Sequence, residues 1–119
     1  MAFTTLVATG DLRAHLDDPT WLIFDCTHDL MNPSAGSAAY AKGHVPGAIF
    51  LSVDHDLAAP KNGSNGRHPL PSAQGFAETL GRVGFDGTQQ IVAYDGQGGM
   101  PSSRLWWMLR WLGHEAVAL

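Results

Sequence analysis

The sequence predicts an α/β fold, a central parallel sheet of about five strands with helices on both faces. Short apolar runs alternate with segments of helical periodicity, which is the pattern of βα units. The runs after the first are apolar enough to be covered on both faces, as strands of a parallel sheet are. The stretch from Ile91 to His114 also reads as a buried strand, a glycine-rich loop and an amphipathic helix in direct succession. In order, the expected strands are Thr5–Val7, Trp21–Phe24, Ala48–Leu51, Gln90–Tyr94 and Ala116–Leu119. Thr9 is placed to cap a first helix with Leu12 and Leu16 facing inward, and Ser72 to cap another carrying Phe76, Leu80 and Val83. Leu105, Met108, Leu109 and Leu112 form one apolar stripe on the strongest helix, and Gly113 stands where it should end. The polar segment from Pro60 to Pro71 can only be an exposed loop.

A length of 119 residues suits one domain, residues 1–119, with a single core, and 45% hydrophobic against 15% charged residues supplies the apolar surface for it. Seven basic side chains against eleven acidic ones leave a net charge of −4, which argues against a nucleic-acid surface. No stretch approaches the ~20 apolar residues of a membrane span, and the first residues lack the pattern of a signal peptide. The single Cys26 excludes an intrachain disulfide and favours a reducing, cytoplasmic setting. The six histidines show neither i,i+4 pairing nor cysteine company, so spacing predicts no metal site.

The loop after Gln90–Tyr94 carries the chemistry. A strand that ends in a glycine-rich turn before a helix forms a cradle of backbone N–H groups at the carboxyl edge of the sheet. The residue leading the loop decides what the cradle does. Here it is Asp95, where a nucleophilic cradle would carry a cysteine. A carboxylate there would accept the N–H groups itself.

Three segments carry a wider resemblance: Trp21-Leu-Ile-Phe-Asp25, Tyr40-Ala-Lys-Gly-His44-Val-Pro-Gly47-Ala-Ile-Phe-Leu51, and Tyr94-Asp95 through Arg104-Leu-Trp-Trp-Met to Gly113-His114. With them the chain resembles the rhodanese-like sulfurtransferases, and specifically the noncatalytic amino-terminal half of the two-domain thiosulfate and mercaptopyruvate enzymes. The resemblance implies a rhodanese-like fold and transfer of a sulfane sulfur through a cysteine persulfide. The donor is a small molecule, the acceptor cyanide or a thiol, no cofactor is needed, and the persulfide forms in a carboxyl-terminal rhodanese domain. Family members continue past the strand matching Ala116–Leu119, so the chain is expected to be truncated there and, by itself, inactive.

The same resemblance implies roles for particular residues. Asp54 and His68 fall on a cleft Asp and His that act with a Ser from the second domain to handle protons. As residues, they fit the logic of a hydroxyl oriented by His and the His by a carboxylate, while a histidine in a polar loop can equally be a solvated surface group. Arg104 either pairs with Asp25 or Asp95 or reaches the cleft. Trp106, Trp107 and Trp111 share a short arc of one helix, more than a core can hide, and read as domain-interface surface. His44 is expected to fasten its own turn, and Cys26 to pack as a small hydrophobe rather than react. A binding or regulatory module using the Asp95–Arg104 loop is the competing class. The phosphatase branch of the fold is set aside because it needs a Cys followed by a longer cradle ending in Arg.

Overall fold

The computed structural model describes residues 2–119. Eight elements follow in the order α1 (Thr9–Ala14), β1 (Trp21–Asp25), α2 (Ala35–Lys42), β2 (Ile49–Phe50), α3 (Ala73–Arg82), β3 (Gln90–Tyr94), α4 (Met100–Trp111) and β4 (Val117–Ala118). The four strands form one sheet in the order β2-β1-β3-β4, every pair parallel. β1 pairs with β3 over its whole length, from Trp21 opposite Gln90 to Asp25 opposite Tyr94.

The sheet has four strands, fewer than the five expected. Thr5–Val7 makes two backbone hydrogen bonds to the residue after β4, Val7 N–H to Leu119 O at 3.0 Å and Leu119 N–H to Thr5 O at 2.9 Å, too few for a strand. Thr9 is already helical in α1 and caps nothing; Ala8 takes the cap position without a side-chain bond. Ser72 does cap α3, accepting from Gly75 N–H at 3.0 Å. Gly113 ends α4 as expected: its φ of +93° is open to glycine at little cost. That turn lets the His114 N–H reach back to Leu109 O at 2.9 Å.

Alternation along the strands divides the core. Leu22 and Phe24 of β1 and Ile91 and Ala93 of β3 face Phe76 and Leu80 of α3 and Leu105, Met108 and Leu109 of α4. Trp21, Ile23 and Val92 face the other way, toward Leu12 and Leu16. Helices therefore cover both faces, the α4 side more deeply. Each fully buried Leu or Met of α4 contributes about 2 kcal/mol of transfer free energy, which fixes this helix against β3 and β4. α2 was not foreseen. It seats Gly36 against the Thr27 carbonyl and the Phe50 ring, and Tyr40 donates from its hydroxyl to Ala48 O at 2.5 Å.

The topology places the site. The chain leaves β1 toward β2 on one side and later enters β3 on the other, so the loops after β1 and β3 part at the carboxyl edge. Such a switch point opens a crevice.

Candidate functional site

Asp95 begins the loop that leaves β3. Its Oδ1 accepts from Gln97 N–H at 2.7 Å and Gly99 N–H at 2.9 Å, and its Oδ2 from Ser102 N–H at 2.9 Å in the first turn of α4. The cradle is thus filled from within by the residue that leads it. Burial pushes the Asp95 carboxyl up, but the bonds from Ser102, Gly99 and Gln97 outweigh it and hold its pKa below the ordinary carboxylate value.

Beyond β2 the chain folds back over Ser52, whose N–H donates to Asp56 Oδ2 at 2.7 Å and whose carbonyl accepts from Asp56 and Leu57 N–H. This turn presents Asp54. His68 comes from the long loop, which is pinned by Ala59 N–H to Pro69 O at 2.8 Å. His68 Nε2 lies 2.8 Å from Asp54 Oδ1 with both side chains partly exposed, and among the described residues this is the one His–carboxylate or other ion-pair contact. With Asp54 ionised, Nε2–H is the donor, which leaves Nδ1 of the neutral ring with a free lone pair. The pair divides two hollows. One of about 280 Å³ is lined by His28, Leu30, Val53, His68, Gln97 and Arg104 among others. The other, of about 460 Å³, is lined by Asp54, His55, Lys61 and Arg67 among others.

Arg104 reaches the crevice, one of the two placements expected of it, and among the described residues forms no ion pair with Asp25 or Asp95. Both carboxylates are already engaged: Asp25 accepts from Thr27 N–H at 2.9 Å and from the Tyr94 hydroxyl at 3.0 Å, and Asp95 from the cradle. Arg104 donates instead to Leu57 O at 2.9 Å and His68 O at 3.1 Å, fixing the two loops that carry the couple. Cys26 is fully buried, and burial, reinforced by Asp25, pushes its thiol pKa up, away from the reactive thiolate. His44 stacks on Tyr40 at 3.7 Å with Nδ1 2.7 Å from Tyr40 O, holding its own turn.

The three tryptophans separate. Trp106 donates to Thr4 O at 2.8 Å and lies under the Arg110 guanidinium, so it pins the amino-terminal segment. Trp107 and Trp111 stack at 6.0 Å and remain 50% and 38% exposed, large for aromatic surface in a folded domain.

Sequence reasoning passed over His28. Its backbone N–H donates to Gln97 Oε1 at 3.0 Å, the Gln97 amide returns a bond to His28 O, and its ring meets His68 edge-on at 5.4 Å. Its Nε2 is buried and, among the described residues, is the one buried side-chain polar atom without a hydrogen-bond partner. Its position three residues beyond β1, on the loop facing the switch point, is the signal that could have found it.

Comparison with known proteins agrees with this fold. A family model described as a rhodanese-like domain matches residues 8–119. A Pseudomonas aeruginosa protein described as a probable 3-mercaptopyruvate sulfurtransferase is 40% identical over 114 residues, covering 95% of this chain and 40% of its own length. The 3-mercaptopyruvate sulfurtransferase of Escherichia coli is 31% identical over 125 residues, 100% of this chain and 42% of that protein. The solved structure of a 3-mercaptopyruvate sulfurtransferase from Leishmania major superposes with a TM-score of 0.86 at 34% identity, over 97% of this chain and 32% of that one. The chain therefore spans well under half the length of these relatives.

Proposed function

Since the chain belongs to the rhodanese-like domain family, we propose that it forms the amino-terminal half of a two-domain sulfurtransferase acting on mercaptopyruvate or thiosulfate, in the cytoplasm. It supplies a proton-handling couple and scaffold to a cysteine carried by a carboxyl-terminal rhodanese domain. The observation that carries this reading is the 2.8 Å contact between His68 and Asp54 at the mouth of the crevice, beside a loop whose nucleophile position is Asp95. The relatives are sulfurtransferases, and the single thiol here is sealed in the core.

In the proposed reaction a cysteine thiolate of the second domain attacks the sulfur of mercaptopyruvate. The new S–S bond forms as the C–S bond breaks, and its electron pair leaves on carbon as the enolate of pyruvate. The proton first carried by the donor thiol passes through His68 to that carbon, giving pyruvate and leaving a persulfide for the acceptor. Asp54 orients His68 and stabilises its protonated form. Arg104, charged and held at the cavity wall by the Leu57 and His68 carbonyls, offsets the negative charge of the donor. Trp107 and Trp111 form the surface on which the second domain rests. An anion-binding module built on the Asp95–Arg104 loop gains no support, because the N–H groups it would use are held by Asp95.

The test is donor selectivity in the two-domain protein. His68→Ala should lower turnover of mercaptopyruvate, whose enolate needs a proton, by about 10²-fold or more, and turnover of thiosulfate, which needs none, far less. Asp54→Asn should matter only while His68 is present. Equal losses on both donors would reduce His68 to a loop-shaping residue.

A further inference from the structure

We propose that His28, Asp54 and His68 form a binding site for a divalent transition-metal ion, zinc above all, which competes with the His68–Asp54 hydrogen bond and so blocks the proton couple. One ligand atom from each of the three residues lies within 4.8 Å of the other two. Two imidazoles and a carboxylate are the donor set that zinc takes in open three-ligand sites, with the fourth position left to water or an exogenous thiolate.

The geometry is close to what the ion requires. Tetrahedral zinc at the usual bond lengths holds its donor atoms about 3.4 Å apart, so shifts of roughly an ångström assemble the site. The 2.8 Å separation between His68 Nε2 and Asp54 Oδ1 is shorter than that spacing, because it is a proton-sharing distance. If those atoms bind the ion, they must part and the shared proton must leave. Metal and hydrogen bond are thus alternative occupants.

His28 gives the inference a second footing. A buried ring nitrogen without a partner costs about 1–3 kcal/mol, and His28 Nε2 is in that condition beside the couple. The supports that metal-ligating loops need are present: Gln97 holds the His28 backbone through two bonds, and Arg104 holds the His68 carbonyl. Arg104 also limits affinity. Its guanidinium lines the same cavity, and with a single carboxylate among the ligands it repels a dication, so the binding should be micromolar rather than structural. The inference deepens the proposed proton role of His68, yet stands on coordination alone.

The experiment is titration of the purified protein with Zn²⁺ against a chromophoric chelator, with no turnover involved. One equivalent should bind, and His28→Ala, Asp54→Asn and His68→Ala should each weaken it about tenfold or more, whereas His55→Ala should not. On the unsubstituted protein, the ring resonances of His28 and His68 should shift on adding Zn²⁺ while those of the other four histidines stay in place, a readout that no folding defect can imitate. Co²⁺ in the same site should show the visible bands of tetrahedral coordination. Absence of binding, or binding that survives His28→Ala and leaves the His28 ring unmoved, would overturn the site. A null titration would leave the donor selectivity of His68→Ala untouched, and equal donor losses in that variant would leave the zinc site untouched, so the two readings fail separately.

Discussion

Asp95→Ala should destabilise the protein by about 2–4 kcal/mol. The substitution leaves three backbone N–H groups without their acceptor. Ser102 is buried, so its N–H bears most of the loss, about 1–3 kcal/mol for an unpaired buried donor; Gly99 is half-buried and adds less, and Gln97 is exposed and turns to water. With an unfolding entropy of roughly 2.1 cal/mol/K per residue, a chain of this length loses about 4 °C in Tm for each kcal/mol, so the midpoint should fall by about 10 °C. The loss should depend on pH. The folded-state pKa of Asp95 is below its unfolded value, so the stabilisation is present above the ordinary carboxylate range and disappears as pH falls through the folded value. Thermal melts followed by circular dichroism, for both proteins at neutral pH and again in acid, should show a gap that narrows on acidification. Equal midpoints at neutral pH would refute the view that Asp95 holds the loop together, and a gap of constant size at every pH would mean that its charge has no part in it.

Cys26 should resist alkylation in the native protein and react fully once denatured, as mass spectrometry after brief iodoacetamide treatment will report; rapid native labelling would reopen the question of a nucleophile in this chain. Gly36→Ala should cost about 1–3 kcal/mol or more by denaturant unfolding, since its new Cβ would lie 2.1 Å from the Thr27 carbonyl oxygen, and a neutral result would show that α2 rides loosely on the sheet. Trp107→Ser with Trp111→Ser should weaken association with the separately expressed carboxyl-terminal domain of the proposed two-domain protein more than it lowers Tm, because the rings are 50% and 38% exposed. Unchanged association by sedimentation would assign that face to something else.

How much of this was legible in the sequence follows from which physical signal each element carries. β1, β3, α3 and α4 are visible because their apolar residues repeat with the period of the structure they form. β2 and β4 were placed correctly but drawn too long, since apolar residues such as Leu51 continue into the core after the pairing ends. α2 left no such trace: its residues are small or polar, and Gly36 is the only one of them buried. Asp54 and His68 could be named through resemblance, but only the fold shows them in contact across a loop. For Arg104 two placements stayed open in the sequence, because charge complementarity cannot reveal that Asp25 and Asp95 already have partners. The grouping of His28 with that couple was hidden for a related reason, since three metal-competent side chains from separate loops have no spacing to read.

The pairing of β1 with β3 has a consequence for how the crevice comes into being. Gln97 and His28, which bind each other across it, are 69 residues apart, and joining them closes a loop whose length alone costs about 4 kcal/mol of chain entropy. Within the β3–α4–β4 unit the closures are shorter: pairing Ile91 with Val117 costs about 3 kcal/mol by the same measure, and the cradle bond from Ser102 to Asp95 spans only seven residues. The Asp95 cradle can therefore assemble as a local event, whereas the crevice depends on a distant encounter. Any fluctuation that parts β1 from β3 erases the cavity while leaving the loop that bounds it whole.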